Sequence, residues 1–145
     1  MRPRCRYGYR TETIYRGHNV ARILVTDDNI RLRTVVRDIL TQAGYEVETA
    51  GNGIEACQIL ERVPVDLLIT DIVMPEKEGI QTIAGLHRER PDLRIIAMSG
   101  DGSDGAAFYL EMAREFGADA TLSKPFSRAQ LLDAVQGLLG AATPR

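Results

Sequence analysis

The sequence predicts an α/β domain in which five parallel strands, in the order 2-1-3-4-5, carry helices on both faces. Three observations lead there. Short apolar runs alternate five times with stretches of helical period, and the connections between them are short. Two of those runs, RILVT (22–26) and VDLLIT (65–70), are mostly apolar and each is followed directly by a carboxylate. Regular alternation of strand and helix argues for a parallel sheet, because a parallel pair needs a crossover to bring the chain back. Strands that are apolar throughout belong at the centre of such a sheet, where helices cover both faces. A chain of 145 residues with 44% apolar and 26% charged residues suits one globular domain of this kind.

Each element has its own signal. After the strand at 22–26, Leu32, Val35, Val36, Ile39 and Leu40 recur at helical spacing, and Gly44 stops that helix after Ala43. YEVETA (45–50) alternates apolar and charged residues, as a half-exposed edge strand does. A helix over 53–62 turns Ile54, Cys57 and Leu60 inward and is broken by Pro64. The third strand covers 65–70, and a helix near 78–89 ends at Pro91. LRIIAMS (93–99) is the fourth strand, and the glycine-rich GDGSDG leads into a helix near 105–116. GADATLS (117–123) supplies a turn and the fifth strand. Ser127 and Gln130 make a capping box for the last helix, which turns Leu131, Leu132, Val135, Leu138 and Leu139 to the core.

These readings divide the chain into a basic leader (1–20), a domain (21–140) and a short tail (141–145). Residues 1–22 carry six arginines against Glu12, for +5, while the remainder holds 12 basic and 19 acidic residues, for −7. The arginines interleave with Tyr7, Tyr9 and Tyr15, a mixture that can contact phosphates and stack on bases. A disordered leader, or a start site placed upstream of the true one, is the favoured reading. No apolar stretch approaches the roughly 18 residues of a membrane span, and no apolar run follows the arginines as a secretory signal requires. Cys5 and Cys57 form no paired motif and are expected as reduced thiols of a cytoplasmic protein. Only GAATPR follows Leu139, too little for a DNA-binding domain, so a stand-alone unit acting through protein contacts is expected.

The chemistry gathers at strand ends. With the order 2-1-3-4-5, ligands bind at the carboxyl edge where strands 1 and 3 diverge. Asp27, Asp28 and Asp71 meet there. Three converging carboxylates repel one another unless a cation neutralises them, and hard oxygen donors favour Mg2+ or Mn2+. Ser99 ends strand 4, and Lys124 ends strand 5 immediately before Pro125. A metal, an ammonium group and a hydroxyl around a carboxylate describe a phosphoryl-transfer site with Asp71 as nucleophile. Taken singly, each residue has a duller role. Asp28 or Asn29 can cap the next helix, Asp71 a turn before Pro75; Ser99 can be a small strand-end residue and Lys124 a solvated charge. Four strand ends that each bear the required residue type favour the joint reading.

At this point the chain from about 21 to 140 resembles the receiver domain of bacterial two-component response regulators, which has a flavodoxin-like, doubly wound fold. The resemblance rests on the acid pair Asp27-Asp28, the segment DIVMP that begins at Asp71, the serine of MSG and the lysine-proline of SKPF. It implies that Asp71 accepts a phosphoryl group from a phosphohistidine on a sensor histidine kinase or a histidine phosphotransfer protein. It implies Mg2+ bound directly by Asp28, Asp71 and the Val73 backbone carbonyl, with Asp27 acting through water. Lys124 and Ser99 would hold the phosphoryl oxygens, and the Lys124–Pro125 peptide would be cis. A homodimer through the face made by the fourth helix, fifth strand and fifth helix is a further implication. One departure weakens it. The switch pair would be Ser99 and the residue three positions before the lysine, usually aromatic and here Thr121. Movement on phosphorylation is therefore expected in the loop after strand 4 and the helix that follows.

Three rival readings fit the sequence less well. GNGIEA (51–56) matches a dinucleotide-binding fingerprint, with Asp71 at a suitable distance, but it follows an edge strand bearing Glu46 and Glu48 rather than a central one. A haloacid dehalogenase-like aspartyl phosphatase needs an acid two residues after its nucleophile, where this chain has Val73. A degenerate receiver that serves only as a docking module would not retain five intact site residues.

Overall fold

The computed structural model describes residues 20–72, 78–100 and 111–140. Its strands are β1 (Arg22–Thr26), β2 (Glu46–Ala50), β3 (Leu67–Asp71), β4 (Arg94–Ser99) and β5 (Ala120–Ser123). They form one parallel sheet in the order β2-β1-β3-β4-β5. The helices are α1 (Ile30–Gln42), α2 (Gly53–Arg62), α3 (Glu78–Glu89), helical residues 111–116 (α4) and α5 (Arg128–Leu139).

Because successive strand side chains point to opposite faces, each central strand feeds two cores. Leu24, Leu68 and Ile95 meet Ala56 and Leu60 of α2, Ile83 and Leu86 of α3 and Ala113 of α4 on one side. Ile23, Val25, Leu67, Ile69, Ile96 and Met98 meet Val36 and Leu40 of α1 and Leu131 and Val135 of α5 on the other. β3 is buried at every residue, and β2 is half-exposed at the edge, as the apolar and alternating patterns require. On the α2–α3 face the register aligns Ala50, Thr26, Thr70, Ala97 and Thr121 in one row across all five strands. Small and hydroxyl side chains thus form the layer beneath the carboxyl edge, where larger ones would fill the space.

Helix ends follow their capping residues. Gly44 takes a φ of 104° just past the α1 cap, a conformation that costs glycine little. The box of Ser127 and Gln130 forms as its spacing predicts. Other positions differ from expectation. β3 begins at Leu67 rather than residue 65; Asp66 before it still bonds Arg22 and Arg94 through its backbone, and its carboxylate also accepts the Arg22 amide at 2.8 Å. In α2, Ile54 is 63% exposed and Ala56 is buried in its place. The Asn52 cap sets the phase of that helix so that Ala56, Ile59 and Leu60 form the inward stripe. Val35 is likewise 53% exposed, at the edge of the stripe made by Val36 and Leu40. Cys57 is half-buried and disulfide-bonded, where a reduced core thiol was expected.

The α2 phase can be tested by truncation. Leu60→Ala is expected to lower the unfolding free energy by about 2–5 kcal/mol, the range for a fully buried leucine. Ile54→Ala should change it by no more than about 0.5 kcal/mol in the same urea titration. A large loss at Ile54 would show that this residue faces the core.

Candidate functional site

The carboxyl edge draws on the ends of β1, β3, β4 and β5. β1 runs out at Thr26 and leaves Asp27 fully buried, followed by an exposed Asp28; Asp71 closes β3 and is 6% exposed. One carboxylate oxygen from each of Asp27, Asp28 and Asp71 lies within 4.8 Å of the other two. The Lys124 ammonium, just past β5, donates to Asp27 Oδ2 at 2.7 Å and to Asp71 Oδ2 at 3.3 Å. The remaining oxygen of Asp27 accepts the Asn29 amide at 2.8 Å. Both Asp27 oxygens are therefore engaged, which offsets the cost of burying the carboxylate.

The adjoining turn sorts the acids. Asn29, not Asp28, caps α1, its side-chain oxygen accepting from the amides of Arg31 and Leu32 at 2.9 and 3.2 Å. With that role taken by Asn29, Asp28 stays available at the rim. Burial would lower the Lys124 pKa, but the hydrogen bond to Asp27 and the charges of Asp71 and Asp27 outweigh it, and the pKa is raised above 10.5. The amine is a cation throughout the neutral range. On the β4 side, the Ser99 carbonyl accepts the Lys124 amide at 2.9 Å. Its fully buried hydroxyl has no partner among the described residues. The Lys124–Pro125 peptide is cis.

Of the residues singled out from sequence, Asp27, Asp28, Asp71 and Lys124 come together and Ser99 lies on the neighbouring strand end. Thr121 sits lower on β5, where its hydroxyl accepts from Arg114 of α4 at 3.1 Å. Val73 lies outside the described residues. Three carboxylates with no Cys or His among them suit a hard divalent ion such as Mg2+ or Mn2+, so the donor set fits that group. Ser99 adds a buried hydroxyl that no described residue bonds and that can donate to an oxygen-rich ligand. Sequence reasoning missed Arg33, which donates to the Asp27 carbonyl at 3.0 Å, because its partner is a backbone atom and leaves no motif.

Residues 23–136 match the response regulator receiver domain family. The chain belongs to that family. It is 37% identical over 122 residues to the response regulator receiver protein CpdR of Brucella abortus, covering 83% of this chain and 98% of that protein. It is 39% identical over 126 residues to the DNA-binding transcriptional regulator NtrC of Azospirillum brasilense, covering 87% of this chain. That match takes in 26% of NtrC, so this receiver corresponds to about a quarter of that longer regulator. Among solved structures, the CheY-like receiver domain protein of Methanospirillum hungatei is similar with a TM-score of 0.72 and 30% identity, covering 81% of this chain and 92% of that one. The family is one of phosphorelay signalling, and the receiver fold accounts for the strand order and for the gathering of acids at the carboxyl edge. Neither a dinucleotide-binding nor a phosphatase fold is needed to explain either.

The orphaned hydroxyls give a direct check on the layer beneath this receiver's site. Thr26 Oγ1 is buried with no partner among the described residues, and such a group destabilises by about 1–3 kcal/mol. Thr26→Val should therefore unfold at equal or higher urea concentration than wild type. A clear loss of stability would mean that the hydroxyl is bonded in solution.

Proposed function

We propose that this receiver is the phosphoacceptor of a Mg2+-dependent phosphorelay, with Asp71 as the residue modified. The observation that carries the reading is the Lys124 ammonium held between Asp27 and Asp71, in the same cluster as Asp28. An Asp71 oxygen attacks phosphorus of a phosphohistidine on a sensor histidine kinase or histidine phosphotransfer protein. The new P–O bond forms as the P–N bond breaks, and the departing imidazole nitrogen keeps the electron pair. Lys124 pairs with phosphoryl oxygens as charge builds on them, and the Ser99 hydroxyl donates to one of them. Asp28 and Asp71 would hold the divalent ion directly, with the Val73 carbonyl as a third ligand and Asp27 acting through water. When bound, that ion supplies charge neutralisation between the carboxylates and the incoming phosphoryl group.

The same reading makes the protein a signalling domain, with only the limited chemistry of gaining and losing its own phosphoryl group. Output would pass through contacts with a protein target or a second copy of the chain. None of the helices among the described residues is long and apolar enough to cross a membrane; a cytoplasmic location is part of the same proposal. Residues 21–140 are proposed as the functional unit.

Incubation with acetyl phosphate and Mg2+, followed by intact-mass measurement, tests the assignment. Wild type should gain a single phosphoryl adduct that excess EDTA prevents, and Asp71→Asn should gain none. Equal labelling of the variant would refute Asp71 as acceptor.

A further inference from the structure

We propose that Arg33 is a positioning residue for the metal-binding turn, and that Gly51 lacks a side chain so that the Arg33 guanidinium can lie across it. The inference rests on the metal-dependent reading above and extends it to a segment that the phosphoacceptor chemistry leaves unused, the GNGIEA run once legible as a nucleotide fingerprint.

The β1–α1 turn is held from two sides. The Asp27 amide donates to the Ala50 carbonyl at 3.2 Å, which ties the turn to the end of β2. The Asp27 carbonyl accepts Arg33 Nη1 at 3.0 Å, from the first part of α1. That carbonyl belongs to the peptide joining Asp27 to Asp28, so its direction sets where the Asp28 side chain starts. Asp28 is exposed, and none of the hydrogen bonds among the described residues restrains its carboxylate. Its aim therefore depends on the peptide behind it. Holding that peptide is the task assigned to Arg33.

The cradle for the guanidinium comes from the β2–α2 loop. A Cβ at Gly51 would stand 2.6 Å from Arg33 Nη1 and 3.7 Å from Cζ, so any larger residue pushes the guanidinium off. It would also stand 3.3 Å from Glu55 Oε1, the group that accepts the Gly51 amide. Asn52 caps α2 through the Glu55 amide at 2.9 Å. Gly51 gives room, Asn52 fixes the helix start, and Glu55 pins the loop against the face on which Arg33 rests. A planar guanidinium directs its donors in a fixed fork, so a lysine does not reproduce the contact.

Charge and position pull in opposite directions, which makes the inference testable. As a mere cation beside three acids, Arg33 would oppose metal binding, and its removal would tighten it. As a positioning group, its removal weakens binding. Residues that orient a metal's ligands are typically worth 10–100-fold in affinity. Calorimetric titration with Mg2+ should accordingly show about tenfold weaker binding for Arg33→Ala. Gly51→Ala should weaken it in the same sense, since it displaces the guanidinium while keeping the charge; its clash is with the far end of a flexible side chain, so the fold is kept. In EDTA, amide hydrogen exchange at residues 27–29 should quicken in both variants while the thermal midpoint stays near that of wild type. Unchanged or tighter Mg2+ binding in both variants, with wild type binding normally, would overturn the role of Arg33 alone. Absence of Mg2+ binding by wild type would instead overturn the metal-dependent reading itself.

Discussion

The constraint on which this structure turns is electrostatic: a lysine just past the last strand must reach two acids that other strands leave buried. Asp27 is fully buried and Asp71 nearly so, and Lys124 donates to both. A carboxylate withdrawn from water is strongly unfavourable unless it is paired and fully hydrogen-bonded. Lys124 and the Asn29 amide meet that demand for Asp27. The same pairing keeps the amine charged and aimed at the oxygen proposed as nucleophile. Stability and chemistry thus use one contact.

The sheet makes that contact available. In the order β2-β1-β3-β4-β5, α1 and α2 cover opposite faces of the sheet, and β1 and β3 are neighbours with Thr26 opposite Thr70, so the acid pair and Asp71 end side by side. β5 is two strands away from β3, with β4 between them. The lysine's long stem spans that gap, and the Ser99 carbonyl holds the backbone from which it starts. Beneath the edge, the row from Ala50 to Thr121 is made of small and hydroxyl side chains. Thr121 in this row bonds Arg114 of α4, which gives the strand a polar tie to that helix where an aromatic ring is usual.

Much of this was legible in the sequence because it depends on residue class and order. Apolar runs ending in acids gave the central strands, the alternation of YEVETA gave the edge, and four strand ends gave the cluster. What sequence could not resolve depends on phase and on backbone partners. Asp28 and Asn29 are both good caps, and only the geometry of the turn assigns the cap to Asn29. Ile54 outranks Ala56 in hydrophobicity, yet the Asn52 cap fixes the helix so that the smaller residue faces in. Arg33 was invisible because it bonds a carbonyl and leans on a glycine far along the chain.

The central claim is that Lys124 and Asp27 stabilise one another directly at this rim. A double-mutant cycle built from Lys124→Met, Asp27→Asn and the pair, read by urea unfolding in EDTA, measures that coupling without any metal. A favourable interaction of at least about 1 kcal/mol is the result expected of contacting charged groups. Additive effects, within about 0.3–0.5 kcal/mol, would contradict it, since that is how independent sites behave.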